Sequence, residues 1–216
     1  MLDRFTWYRQ SAYLWRGDDL NVYIDPWGVT GDPPADVVFI THAHGDHYDP
    51  ESLAKVAREG STKFVAPRDI ALELSGEVTP VAPGDSVEVA GIKVQAVPAY
   101  NVVEHRLDAH PRENNWVGYI LTLGDVTYYH AGDTDHVPEL DSVNADVSFV
   151  PIGGDPYTMG PQEAAELVKA QSPSLAVPMH YGFVVGTPSF ADMFAKEAAP
   201  VEVRTLEPTN PFEVKE

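Results

Sequence analysis

The sequence contains no cysteine. That excludes a disulfide framework, a thiol nucleophile and thiolate ligation, so any metal has to be held by His, Asp or Glu. Basic residues are few: 14 Lys and Arg stand against 33 Asp and Glu, a formal net charge of −19. Such a chain repels nucleic acid and anionic membranes at long range. The acidic residues are spread along the chain rather than gathered in a tail, as on a solvated surface. No apolar run approaches the roughly 20 residues needed to span a bilayer. The opening Met1-Leu2-Asp3-Arg4-Phe5 lacks the basic and then apolar pattern of a secretory signal. The expectation is a soluble, cytoplasmic protein acting on a small molecule, with no nucleic-acid or membrane partner. Oligomeric state is open, and Trp7 or Trp27, taken as exposed aromatics, could pack a homo-oligomer interface.

Hydrophobic residues make up 44% of the 216, enough to bury a sizeable core in one domain covering residues 1–216. Short β-like runs occupy Ser11 to Trp15 and Leu20 to Ile24. Asp36-Val37-Val38-Phe39-Ile40 is a buried-strand pattern leading straight into Thr41-His42. Asp49-Pro50 starts a helix, with Asp49 as N-cap and Pro50 at the first helical position, running to about Arg58. Strand runs follow near residues 63–66, 78–81, 86–90 and 92–97, with a short helix over 67–74. A polar loop from Asn101 to Asn115 has no periodicity, and loops of that length are more often functional than idle. Beyond it come a hairpin over 116–130, strands at 146–151, 174–178 and 201–205, and helices at 161–170 and 190–197. Two similar series of strands and helices predict two sheets packed face to face with helices outside.

Three of the eight histidines fall within six residues, His42-Ala43-His44-Gly45-Asp46-His47, where an apolar strand ends and a helix is about to begin. Alternate residues at a strand end point the same way, so His42 and His44 can grip one ion. Asp46 and His47, beyond the turn at Gly45, can reach a second ion beside it. Each imidazole nitrogen or carboxylate oxygen would lie about 2.0–2.2 Å from its metal. Two later segments repeat the arrangement of a polar residue directly after a β-run. Asp133, in Tyr129-His130-Ala131-Gly132-Asp133-Thr134, could bridge two cations, and His180 follows Val177-Pro178-Met179.

Together, His-x-His-x-Asp-His, Gly132-Asp133-Thr134 and Pro178-Met179-His180-Tyr181 resemble the metallo-β-lactamase superfamily. Tyr129 to Thr134, Pro151-Ile152-Gly153-Gly154, Tyr157-Thr158-Met159-Gly160 and Pro178 to Tyr181 look like its small prokaryotic metal-dependent hydrolase branch. That branch is related to the ascorbate-phosphate lactonases and to the phospholipase D that cleaves N-acyl phosphatidylethanolamines. The resemblance implies an α/β fold, a four-layer αββα sandwich with a metal site at one edge. By position it assigns His42 and His44 to a first metal, Asp46, His47 and His180 to a second, and Asp133 to both. Asp25 matches an aspartate that orients the metal loop, and His130 is read as a neighbour of the ligands rather than one of them. The third histidine that the family usually gives the first metal is missing, because the corresponding stretch reads Ala96-Val97-Pro98-Ala99-Tyr100-Asn101. Asn101 or Tyr100 could fill the place, or the loop could fold back His105 or His110, of which His110 is favoured.

The chemistry implied is hydrolysis by a metal-bound hydroxide, with Asp46 as the catalytic proton acceptor. The substrate is a small ester, lactone or phosphodiester. One or two divalent ions are expected, zinc first, with Mn, Fe or Ni also compatible with His and carboxylate ligands. Asn101 and Arg112, and beside them Arg106, are candidates to hold the substrate. The other reading is a degenerate module that keeps the fold and binds a metal or ligand without catalysis, which the missing histidine supports.

Overall fold

The computed structural model describes residues 1–31 and 33–214. Among them, two six-stranded sheets lie face to face. The first holds, in sequence order, β1 (Phe5–Arg9), β2 (Ala12–Arg16), β3 (Asn21–Ile24), β4 (Val37–Phe39), β5 (Lys63–Pro67) and β6 (Glu77–Val81). It is antiparallel from β1 to β3 and parallel from β3 to β6. The second runs β7 (Ser86–Val89), β8 (Ile92–Pro98), β9 (Val117–Leu123), β10 (Val126–His130), β11 (Val147–Pro151) and β12 (Leu175–Met179). It is an antiparallel meander as far as β10 and parallel from there to β12.

Side-chain alternation sets which face of each strand is buried. In β8, Ile92, Val94 and Ala96 point inward while Lys93 and Gln95 stay outside. The strands β11 and β12 are buried on both faces and are correspondingly apolar throughout. Phe39 meets Tyr119 across the sheets with ring centroids 5.2 Å apart, and Tyr13 meets Phe149 at 4.9 Å. Behind the first sheet, Leu14, Tyr23, Val38 and Phe64 pack under Leu53 and Val56 of α1 (Pro50–Val56) and Ile70 of α2 (Arg68–Ala71). Behind the second, α3 (Pro161–Gln171) buries Ala164, Leu167 and Val168 and packs against α4 (Phe190–Glu197). The layers are αββα, as the resemblance implies, with thin helical layers.

Asp49 caps α1, its carboxylate accepting from the Glu51 and Ser52 N–H groups at 3.2 Å. The helix stops at Val56 rather than Arg58 because Ala57 is already extended. The Arg58 N–H is then taken by Thr62 Oγ1 at 2.8 Å. The sequence reading leaves β1 unassigned, and the strand expected at 201–205 is reduced to a single bridge between Ala176 and Val203. Its expectation for the tryptophans is overturned. Trp7 is 1% exposed, enclosed by Tyr13, Tyr181 and Phe183. Trp27 is half-buried beneath the Arg9 guanidinium, 3.7 Å from the ring centroid. Among the described residues, no helix is long and apolar enough to cross a membrane.

His130 ends β10 between the two sheets, fully enclosed beside the Tyr13 ring. Its Nε2–H donates to the Ser11 carbonyl at 3.0 Å and its Nδ1 accepts from the Gly132 N–H at 3.3 Å. Both ring nitrogens are thus satisfied by the neutral form, and burial pushes the pKa below the ordinary histidine value. Between the depressed folded value and about 6.5 the unfolded chain binds the extra proton, so His130 makes stability rise with pH through that window and fall on acidification. His130→Gln, which keeps one donor and one acceptor, is expected to flatten the loss of stability between pH 7 and pH 5. Urea midpoints of both proteins at the two pH values would show this, and an identical loss in both would refute it.

Candidate metal centre

Ligand-type side chains from separate strand ends meet at one edge of the sandwich. His42 and His44 follow β4, and the chain then turns, with the His47 and Tyr48 N–H groups donating to the His44 carbonyl. That turn carries Asp46 and His47 into position before α1. Asp133 comes three residues after β10, and His180 directly after β12. His110 arrives from the 101–115 loop. Three sets of donors lie close enough to hold one ion each: His42, His44 and His110; His42, His47 and Asp133; and Asp46, His47 and His180.

The separations within the first group suit ligands of one ion as well as hydrogen bonds. His42 Nε2 lies 3.1 Å from His44 Nδ1 and 3.4 Å from His110 Nε2. Ligands about 2.1 Å from a tetrahedral ion stand about 3.4 Å apart, so these nitrogens sit as edges of one coordination polyhedron. On the other side, His47 Nε2 and His180 Nε2 each lie 3.7 Å from Asp46 Oδ2. Between the two groups, Asp133 faces His180 Nε2 at 2.8 Å, His47 Nε2 at 3.4 Å, His110 Nε2 at 3.5 Å and His42 Nε2 at 3.8 Å.

Neighbouring residues fix how these rings present themselves. Asp25 Oδ1 accepts the Thr41 N–H at 2.8 Å, and its Oδ2 accepts both the Thr41 hydroxyl and His47 Nδ1–H at 2.7 Å. This bond turns His47 Nε2 toward the centre as a lone-pair donor when the ring is neutral. Thr41 Oγ1 stands 2.9 Å from His42 Nδ1 and does the same for that ring. Asp25 is fully buried, and its two oxygens are spent on Thr41 and His47. Trp116 walls the first group, with ring centroids 5.1 Å from both His42 and His44, its own indole N–H held by Asp69 at 2.8 Å. Gly153 makes room for His180, since a Cβ there would collide with the His180 carbonyl.

Burial pushes the His42 pKa well below the usual histidine value. His44 is lowered to about 4, by burial first and then by the facing His110. Both rings are therefore neutral at neutral pH, each with one nitrogen lone pair free to meet a cation. Burial would raise Asp133, yet the imidazoles of His180 and His47 hold it well below the carboxylate range. Burial would lower His47, but Asp133, Asp46 and Asp25 more than offset this and raise it. Asp133 Oδ1 and His47 Nε2 are buried without a hydrogen-bond partner. Leaving such groups unmet costs about 1–3 kcal/mol each, and a divalent cation between them would satisfy both. The donor set, all imidazole and carboxylate, fits zinc or a similar first-row ion.

Not every expected residue joins the centre. Asn101 is buried behind His110, and its amide spends both hydrogens on the Arg106 and Tyr157 carbonyls, each at 2.9 Å. It ties the loop together and has no face for a substrate. Arg112 is on the far side of Trp116, paired with Glu139 at 3.0 Å and lying over the Tyr100 ring. Arg106 is buried among Asp135, Asp155 and Glu163 rather than free to clamp an anion. His105 bonds Asp155 and His136 bonds Asp141, both away from the metal ligands. The loop histidine brought to the centre is His110.

Gln10 and Val184 have no counterpart in the sequence analysis, and Tyr157 enters there only through the Tyr157-Thr158-Met159-Gly160 motif. Gln10, in the turn between β1 and β2, places its side-chain amide nitrogen 3.0 Å from Asp46 Oδ2 and 2.9 Å from His180 Nε2. No strand was assigned before this turn, so nothing in the sequence marked it. Tyr157 and Val184 join His44, Asp46, Asp133 and His180 around a cavity of about 260 Å³ that opens the centre to solvent. The motif around Tyr157 marks that residue without a role, and Val184 is an aliphatic residue in a loop with no local signal.

Residues 4–180 match the model of the β-lactamase superfamily domain. A UPF0173 metal-dependent hydrolase of Methanopyrus kandleri is 33% identical over 97% of this chain and 99% of its own length. One from Thermococcus onnurineus is 36% identical over 74% of this chain and 76% of its own. The crystal structure of a candidate metal-dependent hydrolase from Parabacteroides distasonis superposes with a TM-score of 0.82 at 31% identity, covering 95% of this chain and 93% of that one. The metallo hydrolase Igni18 of Ignicoccus hospitalis, at 24% identity, shares the fold with a TM-score of 0.77 and 95% of each chain covered. By the family model over residues 4–180 and a relative 33% identical along nearly its whole length, the chain belongs to the β-lactamase superfamily, among its UPF0173 metal-dependent hydrolases of metallo-β-lactamase fold.

Proposed function

We propose that this metal-dependent hydrolase cleaves a small ester, lactone or phosphodiester, using two divalent cations, zinc by preference. His42, His44 and His110 would hold the first ion, Asp46, His47 and His180 the second, and Asp133 would touch both. The observation that carries this reading is Asp133 itself, a buried carboxylate set between two groups of three donors, with one oxygen lacking a partner. His110 stands where the first group would otherwise be one ligand short, which supports the catalytic reading over a degenerate binding module. The net charge of −19 favours a small molecule over nucleic acid or an anionic membrane as substrate, in keeping with work in the cytoplasm.

When bound, such a cation pair supplies an acidified water and polarises the substrate oxygen. The protein residues supply the rest. Asp46 is the carboxylate of the set with a partly exposed side chain, 19% accessible, and it faces the cavity. Its carboxylate takes the proton of the attacking water and passes it to the leaving group. Tyr157 and Val184 form the apolar lip of the cavity, which seats the substrate beside the carboxylate and thins the water around it.

Metal content per chain, measured on protein purified without chelator, is expected to be two, falling to one in His110→Ala. A value unchanged in the variant would remove His110 from the ligand set. Asp46→Ala is expected to lower kcat at least about 100-fold on whichever of p-nitrophenyl acetate, a small lactone or bis-p-nitrophenyl phosphate the enzyme turns over. Unaltered turnover by a folded variant would end the assignment of Asp46. Removal of metal with dipicolinate should abolish activity, and readdition of zinc should restore it; turnover that survives complete removal would overturn the metal mechanism.

A further inference from the structure

Gln10 is fully buried although its side chain is polar, and its backbone φ of +47° lies in the left-handed region. For a residue other than glycine, that conformation costs about 1–2 kcal/mol and persists only where its surroundings enforce it. Two bonds, and the approach of the Gln10 amide nitrogen to within 2.9 Å of His180 Nε2, show what the conformation achieves. The Gln10 carbonyl accepts the His180 N–H at 3.0 Å, the first residue past β12. The side-chain amide donates to Asp46 Oδ2 at 3.0 Å. One residue of the first sheet therefore grips two donors of the second metal position, one from each half of the sandwich. The Trp7 indole N–H donates to the same carbonyl at 3.0 Å and locks the turn from below.

His180 needs such a hold more than His47 or His42 does. Asp25 fixes His47 and Thr41 fixes His42, whereas His180 Nδ1 is buried with no partner of its own. His180 is also left-handed, at φ +58°. Its backbone is held by the Gln10 carbonyl, and its Nε2 lies between the Gln10 amide at 2.9 Å and Asp133 at 2.8 Å. Asp46, partly exposed on the rim of the cavity, has the Gln10 amide as its hydrogen-bond donor.

We propose that Gln10 is a positioning residue of the second metal position, holding the Asp46 carboxylate and the His180 backbone in the geometry that binds the second ion. It rests on the dinuclear reading above and adds a device that acts on one ion and leaves the other alone. Among the described residues no hydrogen bond joins Gln10 to His42, His44 or His110, so the first position does not hang on it. Partners of this kind alter metal affinity about 10- to 100-fold when lost.

The test is zinc binding to chelator-stripped protein, with the two stepwise affinities read by competition against a fluorescent chelator. Gln10→Met keeps the length and loses the hydrogen bond. It is expected to weaken the second ion about 10- to 100-fold while the first keeps its affinity within about threefold. Thermal unfolding of the metal-free variant reports whether the turn still folds. If methionine there prevents folding, Gln10→Asn, whose amide tolerates the left-handed backbone but falls one methylene short of Asp46, is titrated instead, with the same expectation. Wild-type protein that takes up two ions, with both affinities unchanged in the variant, overturns the role of Gln10 alone. Equal weakening of both ions also overturns it, because it reports a general loss of structure. Wild-type protein that takes up fewer than two ions refutes the dinuclear reading and the Gln10 assignment with it.

Discussion

Asp133 places a carboxylate with 2% side-chain exposure within 2.8 to 3.8 Å of ring nitrogens from His42, His47, His110 and His180. A lone charge buried this deeply would cost several kcal/mol, so the site exists only because compensating groups arrive together from β4, β12 and the 101–115 loop. Their arrival depends on the face-to-face packing of the sheets. The strand ends must align at one edge, and contacts such as Phe39 on Tyr119 hold that alignment. The metal site and the inter-sheet core are thus two consequences of one registration. A shift of the sheets would strand the carboxylate among imidazoles pointing elsewhere.

Backbone strain collects at the same edge. Gln10, Asp25 and His180 are all non-glycine residues with left-handed φ, and each bonds to or belongs to the ligand set. Strain of this kind survives where the surrounding structure over-determines the conformation, as paired strands and buried hydrogen bonds do here. The 101–115 loop is handled differently. Arg106, held in its charged form by bonds to Glu163, Asp135 and Asp155, anchors the loop from inside. The Asn101 amide ties it to the Tyr157 carbonyl as well. A loop without regular strands or long helices is thereby made stiff enough to carry a histidine to the centre and to place one lip of the cavity.

Much of the architecture could be read from local pattern. Alternation in residues 92–98, continuous apolar runs at 147–151 and 175–179, and the Asp49-Pro50 helix start all have local physical causes, and the structure follows them. The element that escaped was β1, where Thr6, Tyr8 and Arg9 interrupt the apolar signal. The strand expected at 201–205 met the opposite fate, its residues adding only a bridge to the edge of β12. Arg106 and Arg112 show why charged loop residues mislead. Both were candidates to hold an anion, and both are spent on carboxylates of the protein itself. Trp7 was misplaced because hydrophobicity by itself does not say which aromatic is covered.

By itself, the sequence determined that metal-ligating chemistry sits where β4 ends, that Asp133 and His180 follow strands in the same way, and that no thiol takes part. Those facts are local: spacing along a strand end, and the presence or absence of a residue type. Only the tertiary structure decided that His110 rather than His105 reaches the first group, that Asn101 braces the loop, and that Gln10 touches Asp46. Each of these joins segments far apart in the chain, and their meeting is set by sheet packing and buried hydrogen bonds, which no local pattern encodes.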